Sequence, residues 1–210
     1  MTRRLVERVM RRVDRVEVDA PHTRRHIELA VGTFAHRWPG GVLVECGAYE
    51  GVSAAKFSHL ADLLGTRLVV ADSFQGLPVN DEPHTVDIRG NSIDGKFVGG
   101  AYAGSLETVR STVARWGVPE VVDYLPGWFE DSLPGWSQPI GGVYVDVDLA
   151  SSTRTVLECL WPCVLPGGAV VSQDGKFPLV IAEIRRWLRT VDDAEVRGLG
   201  RSKIVRVRKR

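Results

Sequence analysis

The apolar positions of this chain follow two periods, and each period predicts one type of element. Short apolar runs are typical of strands buried in a parallel sheet, whereas apolar residues three and four positions apart indicate a helix face. Runs of the first kind occupy 42–45, 68–72, 121–125, 142–148 and 169–172, and helical spacing covers 53–64, 106–116, 151–161 and 178–188. Strands that alternate with helices predict an α/β fold with a doubly wound, mostly parallel sheet.

Both ends of the chain extend this pattern. Two amino-terminal helices are predicted within residues 1–39, and the first, over 3–18, has an apolar stripe among six arginines and a break at Pro21. Near the other end, the segments 194–199 and 203–207 predict a hairpin. The first helix could cover the core, pair with a second subunit or touch an acidic surface. The first two roles are favoured, and a homo-oligomer therefore stays open.

Residues 73–104 follow neither period. This polar stretch is rich in glycine, and a segment of its length inside one domain is usually functional or disordered. It leaves the carboxyl end of a predicted strand, where open α/β sheets bind their ligands. We therefore expect a mobile substrate lid, with His84, Lys96 and Tyr102 as candidate contacts.

Composition narrows the class of protein. The 210 residues fit a single domain, 1–210, and the net charge of +1 gives no field that favours nucleic acid. The three cysteines form no CxxC pair and lie among apolar residues, so we expect buried thiols in a reducing compartment. No apolar run approaches 18 residues and no signal-peptide pattern opens the chain, which predicts a cytoplasmic protein without a membrane partner.

The turn after the first apolar run suits a nucleotide-like ligand. Glu45 closes the run, Gly47 and Gly51 follow, and a helical pattern begins at Ser53. Glycines let the backbone approach a ligand, and the start of a helix presents free N–H groups there. The motif is E-x-G-x-x-x-G, which differs from the G-x-G-x-x-G of dinucleotide sites and resembles motif I of S-adenosylmethionine (SAM) methyltransferases. Asp72 stands where such folds bind ribose hydroxyls, with a helix cap as the alternative role.

Acidic residues end two further predicted strands. Asp146 and Asp148 lie two residues apart, which would put them on one side of an extended chain, and Asp174 follows the run at 169–172. Buried carboxylates are costly without a cation or hydrogen-bond donors, so these acids call for an explanation. Asp146 and Asp174 could together bind a divalent ion through oxygen, with cap or loop roles as the alternative.

Two histidines, His22 and His26, lie one helical turn apart near the start of the second predicted helix. A metal pair at this spacing is conceivable, but no nearby carboxylate or cysteine completes it. Exposed or substrate-facing histidines are therefore the favoured interpretation.

Three stretches of this chain are similar to the macrocin O-methyltransferase family. They are VADSFQGLP at 70–78, LPGWFEDSLP at 125–134 and DVDLASST at 146–153, and the overall resemblance covers roughly residues 40–190. The resemblance implies a Rossmann-like class I methyltransferase sheet that closes with an antiparallel pair of strands. It also implies SAM as the methyl donor, usually with Mg²⁺, and a sugar hydroxyl of a macrolide or related antibiotic as the small-molecule acceptor.

The resemblance also suggests roles for individual residues. Asp146 matches the acid that ligates the metal and serves as general base, and Asp174 matches the second of two adjacent acids. Gln173 replaces the first of those acids, so a metal set of Asp146, Gln173 and Asp174 would carry less charge and bind Mg²⁺ weakly or not at all. The candidate SAM-binding residues, of which Gly127, Trp128 and Phe129 would lie near the adenine, are Glu45, Gly47, Ala48, Tyr49, Gly51, Ser53, Asp72, Ser73, Gly127, Trp128, Phe129 and Asp146.

Departures from the family pattern keep alternatives open. Ala150 replaces an expected aromatic residue, and the chain is short for the family at its amino end. If no metal binds, His22, His26 or His84 could be the catalytic base instead. The acceptor could then be a phenol, a carboxylate or a nitrogen, or the chain could be a SAM-binding domain without catalysis. O-methylation of a sugar or other natural product is the leading hypothesis.

Overall fold

A seven-stranded sheet organises the protein, whose computed structural model describes residues 2–18, 20 and 22–210. The strands are β1 Val42–Cys46, β2 Leu68–Asp72, β3 Val122–Pro126, β4 Ile140–Val145, β5 Val164–Ser172, β6 Ala194–Arg197 and β7 Val205–Lys209. They lie in the order β3-β2-β1-β4-β5-β7-β6. Strands β1 to β5 pair in parallel, and β7 runs antiparallel to both β5 and β6. The predicted fold class and the predicted hairpin are confirmed.

Helices cover both faces of the sheet. They are α1 Thr2–Val13, α2 Arg24–Ala35, α3 Val52–Leu64, α4 Leu106–Trp116, α5 Phe129–Ser132, α6 Ala150–Leu160 and α7 Pro178–Trp187. Ser105 caps α4 by accepting the N–H of Thr108, and Gly65 ends α3 in the left-handed conformation (φ 66°), as their residue types predict. Within the described part of the chain, no helix has both the length and the apolar character needed to cross a membrane.

The first helix is shorter than the pattern over 3–18 predicted. α1 ends at Val13, where the N–H of Val16 donates to the Val13 carbonyl (3.0 Å) and closes a turn. The Asp14 carboxylate in this turn accepts a hydrogen bond from Arg24 of α2 at 2.7 Å. Val16 is still buried, so the apolar period reports burial correctly although the helix has stopped. The predicted break at Pro21 falls outside the described residues.

The sheet separates two apolar cores. On one face the helices α1 to α4 pack on the strands, and Phe57 of α3 lies against Tyr144 of β4 with ring centroids 4.6 Å apart. On the other face α6 and α7 pack together with Ile93 and Phe97, which come from the segment 73–104. This segment contains a single isolated bridge, between Val86 and Ser92, as its only described strand pairing. Its apolar contacts seat it over the sheet, and its mobility stays a prediction.

Candidate active site

A cavity lies over the carboxyl ends of β1, β2, β4 and β5, where the sequence predicted ligand binding. It gathers residues from the glycine turn, from the ends of four strands and from the segment 73–104. The predicted site residues in its lining are His22, Gly47, Ala48, Tyr49, Ser53, Asp72, Ser73, Trp128, Phe129, Asp146, Gln173 and Asp174, together with the candidate lid contacts Lys96 and Tyr102. Five other predicted site residues, His26, Glu45, Gly51, His84 and Gly127, lie outside the lining.

The glycine turn packs directly against the end of β4. Gly47 has φ +87°, and a Cβ built on it would lie 2.0 Å from the carbonyl oxygen of Asp146. Gly51, at φ +83°, precedes α3, and its Cβ would meet Val109 of α4 at 2.9 Å. Since both conformations are left-handed and both neighbours are close, glycine is required at each position for local geometry. The turn therefore brings the first strand and Asp146 together at one point of the cavity.

Asp72 ties two loops together at the end of β2. One carboxylate oxygen accepts the N–H of Ala48 in the glycine turn (2.7 Å), and the other accepts the N–H of Phe74 (2.7 Å). Burial raises the pKa of Asp72, and these two backbone hydrogen bonds oppose the shift. Because a carboxylate has about four acceptor positions, Asp72 can hold the loops and still accept from a ligand.

Glu45 lies on β1, outside the cavity lining. It is fully buried, and neither carboxylate oxygen has a hydrogen-bond partner among the described residues. Burial raises its pKa to about 8. Glu45 is therefore mostly protonated at neutral pH, which is the state that an enclosed carboxyl without a counter-charge prefers.

Three carboxylates converge on one side of the cavity. Asp146, Asp148 and Asp174 each offer an oxygen within 4.8 Å of the others. β4 ends at Val145, so the two aspartates do not continue an extended strand as predicted. Instead Asp148 adopts φ +61°, and one Asp174 oxygen accepts the N–H groups of Val147 (2.9 Å) and Asp148 (3.1 Å). Burial raises the pKa of all three carboxyls, and the charge of Asp174 adds to the shift at Asp146 and Asp148.

Gln173 joins the carboxylate cluster as a donor. Its side-chain N–H₂ donates to Asp146 at 2.6 Å, and its amide oxygen accepts the hydroxyl of Tyr144 at 2.9 Å. The oxygen expected to ligate a metal is thus engaged by Tyr144. In this arrangement Asp148, which was not among the predicted metal ligands, is the third carboxylate of the cluster. Its position two residues after Asp146 was the available sequence signal.

The three candidate histidines have different surroundings. His22 lines the cavity and lies 3.1 Å from the ammonium nitrogen of Lys56; burial, and next the charge of Lys56, lower its pKa to about 3. His26 accepts the N–H of Thr23 and completes a capping box at the start of α2, so it acts in helix capping. His84 is buried outside the cavity lining and donates to Glu82 at 3.0 Å. Among the three, His22 alone borders the cavity.

The cavity also contains residues that the sequence did not single out. Lys176 and Lys203 line it on the side of the carboxylate cluster, and Phe97 and Phe177 form an apolar wall. Lys176 follows Asp174 closely, which is a weak sequence signal. Lys203 comes from the connection between β6 and β7 and carries no local signal, because only the pairing of β7 with β5 brings that connection to the site.

The sequence is similar to one family of known proteins. The family model described as Macrocin-O-methyltransferase (TylF) matches residues 24–192. The 8-demethyl-8-(2,3-dimethoxy-alpha-L-rhamnosyl)-tetracenomycin-C 4'-O-methyltransferase of Streptomyces olivaceus is 39% identical over 142 residues, covering 64% of this chain and 52% of that protein. Mycinamicin III 3''-O-methyltransferase of Micromonospora griseorubida is 31% identical over 152 residues, covering 67% of this chain and 57% of that protein. The chain thus spans little more than half the length of these relatives.

Solved structures share the whole architecture. The O-methyltransferase NovP superposes with a TM-score of 0.73 at 24% identity, covering 99% of this chain and 97% of that one. The calicheamicin methyltransferase CalS11 superposes with a TM-score of 0.69 at 20% identity, covering 98% of this chain and 91% of that one. At these identities the likeness establishes the fold, which is the class I methyltransferase fold.

Proposed function

The chain belongs to the macrocin-O-methyltransferase family, and we propose that it is a SAM-dependent O-methyltransferase acting on a hydroxyl of a glycosylated or related natural product. Two relatives are named for methylation of a rhamnosyl tetracenomycin and of mycinamicin III. These names support a sugar hydroxyl of an antibiotic-type compound as the acceptor. The family match over residues 24–192 includes the glycine turn and the three carboxylates.

One observation carries this proposal. The glycine turn that would receive SAM lies against the backbone of Asp146, with no room for even a Cβ between Gly47 and the Asp146 carbonyl. A ligand seated on that turn would therefore have its reactive end beside the Asp146 side chain. Methyl transfer needs this juxtaposition, because the acceptor oxygen must approach the methyl group in line while a base removes its proton.

The residues of the SAM side are suited to a nucleoside. SAM, when bound, supplies a methyl group activated on a sulfonium. Asp72 retains acceptor positions for the ribose hydroxyls while it holds the two loops through Ala48 and Phe74. Trp128 and Phe129, which follow β3, offer aromatic surface for the adenine. Gly47 lines the cavity and would lie beside the methionine portion.

Asp146 is proposed as the general base for the acceptor hydroxyl. It borders the cavity, and its hydrogen bond from the Gln173 amide leaves one carboxylate oxygen for the acceptor. His22, the histidine that lines the cavity, already faces the Lys56 ammonium through its Nε2 atom. The Lys56 contact leaves Nε2 poorly placed to accept a second proton, which favours Asp146 over His22 as the base.

A divalent ion would suit the same cluster. Asp146, Asp148 and Asp174 present the oxygen ligands that Mg²⁺ prefers, and they are the residues that would hold it. A bound ion would orient the acceptor hydroxyl and lower its pKa. Gln173 contributes an N–H donor where the family has an acid, so the cluster carries one negative charge fewer, and we expect weaker Mg²⁺ binding than in the family at large.

Calorimetric titration with SAM tests the proposal first, on protein stripped with a chelator and then with Mg²⁺ restored. We expect SAM to bind in both conditions, because the residues assigned to SAM are separate from the Asp148 and Asp174 carboxylates. Transfer of a labelled methyl group should then be measured with glycosylated macrolides and, as a matched comparison, their aglycones and simple phenols. Absence of SAM binding in both conditions would reject the function, and transfer to phenols alone would reject the acceptor class.

A further inference from the structure

The carboxylate of Glu82 joins the segment 73–104 to the start of α6. Its oxygens accept the backbone N–H of Ala150 (2.8 Å), the backbone N–H of Ser151 (2.8 Å) and the Ser151 hydroxyl (2.6 Å). A fourth hydrogen bond comes from the Nε2 atom of His84 at 3.0 Å. Four donors thus surround one carboxylate whose side chain is 15% exposed.

The partners of Glu82 matter because of where α6 begins. The first N–H groups of a helix have no acceptor within the helix, so Ala150 and Ser151 depend on an outside group. Leu149, the residue before the helix, makes no side-chain cap. Glu82 therefore supplies the cap from nearly 70 residues away in sequence, and its negative charge also suits the amino end of the helix. Asp148, a member of the carboxylate cluster, lies two residues before the helix start.

His84 links Glu82 to the wall of the cavity. Its ring packs edge-on against Phe97 (centroids 4.9 Å apart) and Phe177 (6.0 Å), and these two phenylalanines contact each other at 4.9 Å. Both line the cavity. Since the carboxylate only accepts hydrogen bonds, His84 must carry its proton on Nε2, which fixes the orientation of the ring behind the wall.

We propose that Glu82 is a positioning residue for the acceptor side of the site, which locks the segment 73–104 onto the start of α6 and thereby fixes Asp148 and the Phe97–Phe177 wall. This inference rests on the proposed function for its consequence in catalysis. Its structural part, the cap that Glu82 provides for α6, stands independently of the reaction. His84 is part of this hydrogen-bonded connection, so we assign it a supporting role instead of the predicted role as a base.

The test compares Glu82→Gln with Asp81→Asn in the full chain. Both variants remove one carboxylate charge from adjacent positions, but Asp81 is exposed and its side chain makes no hydrogen bond to any described residue. Glutamine at position 82 keeps the shape of the side chain while replacing one acceptor oxygen with an N–H₂ group that opposes the helix N–H groups. Amide exchange at Ala150 and Ser151, followed by NMR, should accelerate by roughly tenfold in Glu82→Gln and stay unchanged in Asp81→Asn.

Kinetics separate positioning from plain stability. In Glu82→Gln the KM for the acceptor should rise by about tenfold while the Kd for SAM stays within about twofold, because the residues that Glu82 positions border the acceptor side only. Unchanged exchange at Ala150 and Ser151 would overturn the inference whatever the activity. Faster exchange with an unchanged acceptor KM would reduce Glu82 to a helix cap and also overturn it. If the wild-type chain failed to bind SAM, the proposed function would fall, while the exchange result would still decide the cap.

Discussion

Replacing Gly47 with alanine tests the contact between the glycine turn and Asp146. The new Cβ would lie 2.0 Å from the Asp146 carbonyl oxygen and 2.9 Å from its carbon, both backbone atoms. Because real Cβ atoms essentially never come within 3.0 Å of another atom, the turn and the end of β4 must separate by about 1 Å. A displacement of this size disturbs the placement of groups in an active site as well as the stability of the fold.

The cost has two parts that a control variant can separate. Alanine at a left-handed φ costs about 1–2 kcal/mol, and forcing an extra atom into a packed site costs typically 1–3 kcal/mol more. Gly40 is the matched control, since its φ of +92° is close to the +87° of Gly47 and a Cβ there would meet nothing within 4 Å. Gly40→Ala therefore carries the conformational cost alone, and Gly47→Ala carries both.

Urea unfolding and SAM calorimetry on the two variants give the readout. Gly47→Ala should unfold with a free energy about 1–3 kcal/mol lower than that of Gly40→Ala, which corresponds to about 2–4 °C in Tm for each kcal/mol in a chain of this size. Its affinity for SAM should fall by at least about tenfold, and Gly40→Ala should bind SAM as the wild type does. If both variants unfold alike and bind SAM alike, the turn does not depend on its contact with Asp146 and the reasoning is refuted.

Three further predictions concern the acids and the core. Asp72→Ala should weaken SAM binding by about tenfold or more, whereas Asp146→Ala should leave calorimetric SAM affinity within about threefold and lower the methyl-transfer rate by about a hundredfold or more; the opposite pattern would remove both assignments. Glu45 has its pKa raised to about 8 in the fold from 4.5, so its contribution to stability is lost as pH rises from about 4.5 to 8. Between these two pH values the free energy of unfolding should therefore fall less in Glu45→Gln than in the wild type, by about 1 kcal/mol or more, as measured by urea unfolding. An equal fall in the two proteins would contradict the burial argument. Phe57→Ala should lower the free energy of unfolding by about 3–5 kcal/mol, since its ring is 1% exposed and packs on Tyr144; a loss below about 1 kcal/mol would mean that the core refills.

Local sequence patterns predicted most of the fold and placed the glycine turn and Asp72 at strand ends that border the cavity. Apolar runs located the five parallel strands, because they report which positions along a local segment face the core, and a hairpin pattern located β6 and β7. The glycine turn and Asp72 could be predicted for a similar reason, because each lies at the end of one strand and its pattern is contained in the adjacent residues. The family resemblance at 70–78, 125–134 and 146–153 agrees with the family match over residues 24–192.

Contacts between distant residues around the cavity could not be predicted from the sequence. The sequence offered Gln173 as an oxygen ligand, but Tyr144 engages that oxygen and the amide N–H₂ faces Asp146. Glu82 reaches the start of α6 across nearly 70 residues, and Lys203 arrives through the pairing of β7 with β5. Local periodicity contains no information about such meetings, because they depend on strand order and on the path of a loop that has no period. The strand ends were therefore predictable from the sequence, and the contacts between them required the folded chain.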